Sequence, residues 1–163
     1  MKKNKRSKIL ISACLLGEKV RYDGAGLTLS HSLLQDWMSD GRVVSICPEV
    51  SAGMSIPRVS AEICGGDGAD VLSGKASVIE ENGRDVTESF LVAAYNTLKL
   101  CQENDIKVAV LTALSPSCGS STIYNGSFTG GKSDGMGVTS ALLTAHGIKV
   151  FDQYRLVEVS QWL

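Results

Sequence analysis

The sequence has no excess charge of either sign and no long apolar run. Sixteen Lys and Arg residues stand against seventeen Asp and Glu residues, which leaves a formal net charge of −1. A protein that binds duplex nucleic acid normally carries a basic excess, so we do not expect a nucleic acid duplex as partner. No apolar run approaches the ~18–20 residues that a membrane span needs, so we expect no membrane partner.

The sequence also lacks a secretory signal and an even number of cysteines. Its start is basic, but the apolar stretch at residues 9–16 is too short and too mixed for the apolar core of a signal peptide. We therefore expect a cytoplasmic location, where thiols stay reduced. Five cysteines in that compartment indicate metal binding or catalysis before disulfides.

The length and the alternation of patterns predict one α/β domain. A chain of 163 residues is typical of a single domain, here residues 1–163 with 1–7 as a basic, solvated tail. Apolar, β-branched stretches predict strands at 8–13, 42–47, 107–113 and 148–151, and helical spacing predicts helices at 30–39, 85–103 and 137–145. We predict a Rossmann-like, mostly parallel sheet flanked by helices.

Two glycine-rich segments interrupt this alternation. Residues 61–84 contain five glycines and an Asn82-Gly83 pair, which predict a small β-hairpin excursion on one side of the sheet. Residues 115–135 are rich in Ser and Gly and predict a long ordered loop. Loops of this length in a compact domain are usually functional or disordered.

Three of the five cysteines follow predicted strands. Cys14 comes after the first strand, Cys47 ends the second, and Cys118 follows the third. The carboxyl ends of parallel strands face a common crevice, so these three residues are expected to converge. The alternative is that they are buried apolar cysteines, as we expect for Cys64 and Cys101.

Three thiolates in one crevice have few uses. A structural zinc site needs four closed ligands, and His31 and His146 are poor candidates because both lie at predicted helix ends. A 4Fe-4S cluster held by three cysteines leaves one iron open, and an open iron is a Lewis acid. The sequence has no C-x2-C-x2-C run, so spacing alone does not decide between a cluster, another metal and core cysteines.

Polar residues flank the three cysteines. Glu49, two residues after Cys47, could take or deliver a proton at a bound water or leaving group, or it could form a loop ion pair. Ser115 and Ser117 lie on either side of Pro116 and could orient a small polar ligand or complete a turn. Asp23 lies beside Arg21, and these groups could bind substrate or pair internally. Ser117 and Asp23 are the candidate substrate-binding residues.

Several short motifs, in one order along nearly the whole chain, resemble the thiouracil desulfurase family of small bacterial iron–sulfur proteins. The motifs are Cys14-Leu-Leu-Gly17, Val20-Arg-Tyr-Asp-Gly24, Cys47-Pro-Glu-Val50, Pro57-Arg58, Ala61-Glu62, Gly83-Arg-Asp-Val-Thr87, Ser115-Pro-Ser-Cys-Gly119, Tyr124-Asn-Gly126 and Gly135-Met-Gly-Val-Thr139. The resemblance implies a 4Fe-4S cluster on Cys14, Cys47 and Cys118, with Glu49 and Ser115 as catalytic residues.

The resemblance also implies a reaction. The open iron is expected to bind the sulfur of a thiolated pyrimidine such as 2-thiouracil, while Glu49 activates a water and Ser115 orients it or shuttles a proton. The products are the oxo base and sulfide, without net redox change. The alternatives are a non-catalytic iron–sulfur or zinc sensor and a small-molecule binding domain with core cysteines. The substrate could be a free base, a nucleoside or a tRNA-derived species.

Overall fold

Four parallel strands form the central sheet of the protein, whose computed structural model describes residues 6–163. The described strands are β1 (Ile9–Ser12), β2 (Val43–Ile46), β3 (Ala61–Cys64), β4 (Ser77–Glu80), β5 (Val108–Val110), β6 (Thr122–Tyr124), β7 (Lys132–Asp134) and β8 (Lys149–Phe151). The described α-helices are α1 (Ser32–Ser39), α2 (Pro48–Ser51), α3 (Gly68–Leu72), α4 (Thr87–Glu103), α5 (Val138–Ala145) and α6 (Leu156–Ser160).

The sheet has the order β2-β1-β5-β8, and every pairing in it is parallel. The chain first moves outward from β1 to β2 and then returns to the opposite side of β1 to form β5. The strand order therefore reverses between β1 and β5, and ligands of open α/β sheets bind at the carboxyl ends of strands beside such a reversal. The predicted parallel α/β fold is confirmed.

Alternate side chains of each strand point to opposite sides of the sheet, and apolar clusters bury both faces. Ile9 and Ile11 of β1 pack in one apolar cluster with Trp37 of α1 and Val159 of α6. Leu10 packs in the other cluster, which contains the buried faces of α4 and α5. Helices thus cover both faces, and the open edge at the carboxyl ends of the strands remains for a site.

The two glycine-rich segments are more structured than their sequences predict. β3 and β4 form the expected antiparallel excursion, but α3 connects them, and Asn82-Gly83 lies in a later turn beside the Ile79–Asp85 bridge. The loop predicted at 115–135 contains the antiparallel pair β6–β7. β7 is exposed at all three positions, so it has no apolar alternation from which a strand could be predicted.

The start of the described chain lies against the loop before β2. Arg6 forms an exposed ion pair with Asp40, and the Arg42 side chain donates a hydrogen bond to the Ser7 carbonyl oxygen. Residues 1–5 of the predicted basic tail lie outside the described residues. Over residues 6–163, no helix is long and apolar enough to span a bilayer.

Candidate active site

Three cysteines converge on one cavity at the carboxyl ends of the central strands. Cys14 lies in the 3-10 turn that directly follows β1, and Cys47 is the N-cap residue of α2, directly after β2. Cys118 lies in the loop that follows β5. All three line a cavity of about 340 Å³. The structure therefore brings together three residues that are far apart in the sequence.

The N-terminus of α5 fixes the loop that carries Cys118. The first N–H groups of a helix have no partner within the helix. Here the Val138 N–H donates to the Pro116 carbonyl oxygen at 2.8 Å and the Thr139 N–H donates to the Ser117 carbonyl oxygen at 2.9 Å. Gly137 permits this approach because a Cβ atom there would lie 2.5 Å from the Ser117 carbonyl oxygen. The loop is thus anchored to the helix by its own backbone.

Glu49 is held in the cavity wall from two sides. Its carboxylate forms a buried ion pair with Arg58, whose side chain is 6% exposed while that of Glu49 is 12% exposed. On the other side the Ser115 hydroxyl donates to Glu49 Oε1 at 3.5 Å. Arg58 also donates to the Val20 and Ser55 carbonyl oxygens, each at 3.2 Å. The carboxylate therefore has a fixed position and a compensating cation.

The Ser115 hydroxyl is fully used by its neighbours. Its oxygen accepts the backbone N–H groups of Ser117 and Cys118, each at 3.1 Å, while its proton points to Glu49. A hydroxyl has one proton and two acceptor positions. Ser115 therefore connects the Cys118 loop to the Glu49 carboxylate and orients both.

Breaking the Arg58–Glu49 pair is expected to destabilise the protein. Because both side chains are buried, Arg58→Ala leaves an unpaired carboxylate, and we expect a loss of about 3 to 5 kcal/mol in the free energy of unfolding. Urea unfolding of the metal-free protein measures this loss. Arg6→Ala removes the exposed pair with Asp40 and is expected to cost less than about 1 kcal/mol. Equal losses in the two variants would contradict the assignment of Glu49 to a buried pair.

The three thiols of the cavity are protonated when no metal is bound. Burial raises the pKa of Cys14, Cys47 and Cys118 above the usual value, and the nearby Glu49 carboxylate raises each pKa further. Metal coordination requires thiolates, so binding must release these protons. The site therefore favours a metal centre whose bonds to sulfur release more free energy than deprotonation of the three thiols costs.

The donor set fits an iron–sulfur cluster better than a single metal ion. Within residues 6–163, no three His, Cys, Asp or Glu side chains come close enough to share one ion. Cysteines that hold a cluster bind different irons and so need not meet at one point. Three thiols that line one cavity meet this requirement.

The remaining cysteines and histidines lie outside the cavity lining. Cys101 is fully buried in the apolar face of α4, and burial raises its pKa to about 11. Cys64 is half-buried in β3. The His31 ring Nδ1 accepts the Leu33 N–H and so caps the N-terminus of α1. His146 Nδ1 lies 3.0 Å from the Leu142 carbonyl oxygen.

The structure does not bring Ser117 or Asp23 to the cavity lining. Ser117 is 0% exposed, and its hydroxyl pairs with that of Thr139 at 2.7 Å. Asp23 is exposed and accepts the Ala25 N–H at 2.9 Å, which closes a local turn. Both side chains are therefore engaged in structural hydrogen bonds away from the cavity.

Sequence reasoning missed the apolar walls of the cavity. Tyr22, Phe90 and Tyr124 line it together with Met54 and Val59. These residues come from the loop after β1, from the loop between α2 and β3, from α4 and from β6. Each is unremarkable in its own segment, and only the family motifs that contain Tyr22 and Tyr124 could have suggested them.

Comparisons with known proteins agree with this geometry. The family model for 2-thiouracil desulfurase matches residues 9–154 of the chain. The uncharacterized protein YbbK of Bacillus subtilis (strain 168) is 40% identical over 151 residues, which are 93% of this chain and 99% of that protein. A solved structure described as the 4Fe-4S-dependent thiouracil desulfidase TudS has a TM-score of 0.87 and 42% identity, covering 96% of this chain and 97% of that chain.

Proposed function

The chain belongs to the 2-thiouracil desulfurase family, and we propose that it is a 4Fe-4S-dependent enzyme that removes sulfur from thiolated pyrimidines such as 2-thiouracil. The observation that carries the proposal is one cavity lined by three cysteine thiols and by Glu49. The reaction converts the thiocarbonyl compound and water into the oxo base and hydrogen sulfide, without net redox change.

In this proposal Cys14, Cys47 and Cys118 hold the cluster as thiolates. A 4Fe-4S cluster with three protein ligands supplies one open iron, a soft Lewis acid suited to thiocarbonyl sulfur. The three thiol protons must leave before the ligands can bind. The cavity wall beside them provides the groups that handle water and protons.

Glu49 is the general base of the proposed reaction. The carboxylate accepts a proton from the water that attacks the ring carbon bearing the sulfur. The Arg58 guanidinium and the Ser115 hydroxyl keep its two oxygens in place. Because the single Ser115 proton already points to Glu49, Ser115 orients the base.

The apolar side chains of the cavity bind the pyrimidine ring. Tyr22, Phe90 and Tyr124 offer aromatic surface, which packs against a planar ring and excludes bulk water. Exclusion of water strengthens the electrostatic influence of Glu49 and Arg58 on the reacting atoms. The chain thus combines a small-molecule cavity with a fixed base.

We place the enzyme in the cytoplasm, since all five cysteines are free thiols and a reducing compartment preserves them. We take residues 1–163 as one catalytic domain, because both apolar clusters pack on the same sheet. The balanced charge supports a free base or nucleoside over a polyanionic nucleic acid as substrate.

Purification of the full chain without oxygen tests the function directly. We expect a brown protein with about four irons and four sulfides per chain, which converts 2-thiouracil to equimolar uracil and sulfide. The control is the same protein after removal of iron by a chelator, which should be inactive. A colourless, zinc-loaded protein, or a cluster-loaded protein that releases no sulfide, would overturn the proposal.

A further inference from the structure

Two buried hydroxyls contact the sulfurs of two of the three proposed cluster ligands. Thr112 Oγ1 lies 2.9 Å from Cys14 Sγ, and Ser12 Oγ lies 3.9 Å from Cys118 Sγ. Ser12 is the last residue of β1, and Thr112 closely follows β5, the neighbouring strand. The strand reversal that creates the cavity thus also places a hydroxyl beside each of these two sulfurs.

The direction of both hydrogen bonds follows from the protonation state of a metal ligand. With a free thiol, either Cys14 or Thr112 could be the donor, but a metal-bound thiolate has no proton and can only accept. The Ser12 oxygen already accepts the Thr112 backbone N–H at 3.1 Å. Its own proton therefore remains available for Cys118. When the cysteines bind metal, Thr112 must therefore donate to Cys14, and Ser12 keeps the donor role that it already has toward Cys118.

Cys47 has a different environment. Its sulfur lies 3.8 Å from the Val20 carbonyl oxygen, which is an acceptor and suits a thiol but not a thiolate. Among residues 6–163, no side-chain hydroxyl lies within hydrogen-bond distance of this sulfur. The three ligands are therefore not equivalent, and Cys47 has the sulfur without a hydroxyl donor.

We propose that Thr112 and Ser12 tune the cluster by donating hydrogen bonds to the Cys14 and Cys118 thiolates, with Thr112 as the stronger donor; this inference rests on the proposed function. A hydrogen bond withdraws electron density from sulfur and so from the attached iron. It stabilises the more negatively charged, reduced cluster, and hydrogen bonds to sulfur are among the factors that set cluster potentials. It also makes the irons better Lewis acids for thiocarbonyl sulfur.

Thr112→Val tests the inference because valine keeps the shape of threonine and removes the hydroxyl. The midpoint potential of the one-electron reduction of the cluster is measured in the anaerobically purified, cluster-loaded chain. We expect it to become more negative in Thr112→Val and to return to the wild-type value in Thr112→Ser. Since groups that support metal ligands affect metal retention, we also expect Thr112→Val to lose iron to a chelator about tenfold faster.

Thr97→Val is the matched control. Thr97 is buried like Thr112, with 0% exposure against 9%, and its hydroxyl donates to the Ala93 carbonyl oxygen within α4, outside the cavity lining. The Thr97→Val substitution should leave the midpoint potential of the cluster and the rate of iron loss unchanged. Circular dichroism of every variant checks that it folds.

The outcomes separate this inference from the proposed function. A wild-type protein without a cluster defeats the proposed function. The hydrogen-bond role alone is overturned if the wild type holds a cluster but Thr112→Val has the same midpoint potential. It is also overturned if Thr97→Val shifts the potential as much as Thr112→Val does. If Thr112→Val fails to fold, Thr112→Ala removes the same hydroxyl with a smaller side chain and should shift the potential in the same direction. Ser12→Ala should lower the midpoint potential by less than Thr112→Val does. An unchanged potential in Ser12→Ala would overturn the proposed role of the Ser12 hydrogen bond.

Discussion

Cys118→Ala protein, purified without oxygen, is expected to contain no stable 4Fe-4S cluster and to release no sulfide from 2-thiouracil. The substitution leaves two thiols in the cavity, and a cluster with two protein ligands has two open irons exposed to solvent and to loss. Iron and sulfide content and the visible absorption of the purified protein measure the cluster. Sulfide release measures turnover.

Cys101→Ala is the matched control for this loss. Both cysteines are buried, and each substitution removes one thiol group. Cys101, however, lies in the apolar face of α4, outside the cavity lining. Its buried thiol, with a pKa of about 11, is a packing group. Cys101→Ala should keep the cluster and turnover. A cluster that survives Cys118→Ala and disappears in Cys101→Ala would show that the ligands are wrongly assigned.

Glu49→Gln is expected to retain the cluster and to lower kcat by about 10²- to 10⁴-fold, the range for removal of a general acid or base. Glutamine has nearly the same shape, and its one carbonyl oxygen can still accept a hydrogen bond from either Arg58 or Ser115. It cannot take a proton from water. The measurements are kcat for sulfide release at saturating 2-thiouracil and iron content of the same sample. Normalising kcat to iron separates lost chemistry from lost cofactor.

A second buried carboxylate provides the control for Glu49. Glu80 in β4 is 6% exposed and lies outside the cavity lining, with Arg84 as its ionic neighbour at 3.9 Å. Glu80→Gln removes the same charge from a buried position and should leave kcat per iron unchanged. Turnover of Glu49→Gln at the wild-type rate would remove Glu49 from the mechanism.

The sequence predicts the cysteine arrangement well because strand ends follow a general rule. Three apolar stretches, each followed by a cysteine, predict convergence once the sheet is parallel. Neither the Arg58–Glu49 pair nor the contact between Thr112 and Cys14 follows a comparable rule. Each joins segments whose separation is set by loop geometry, and a single sequence does not encode that distance in any periodic pattern.

Neighbours in sequence are poor guides to side-chain direction in this site. Ser115 and Ser117 are two residues apart, yet the first contacts Glu49 and the second contacts Thr139. Asp23 lies within two residues of Arg21, which lines the cavity, but turns back to the Ala25 backbone. The polar character of these residues is visible in the sequence. Their direction depends on turns that the packing of α5 and the cavity loops decides.

The attachment of the Cys118 loop to α5 has a consequence for cofactor assembly. An isolated loop loses conformational entropy when its cysteine becomes a ligand, and that loss weakens metal binding. Here the backbone bonds to Val138 and Thr139, and the Ser140 hydroxyl that donates to the Cys118 carbonyl oxygen at 2.7 Å, hold the loop without any metal. Most of the ordering of this ligand therefore belongs to folding of the polypeptide, and capture of the cluster starts from a thiol that is already in place.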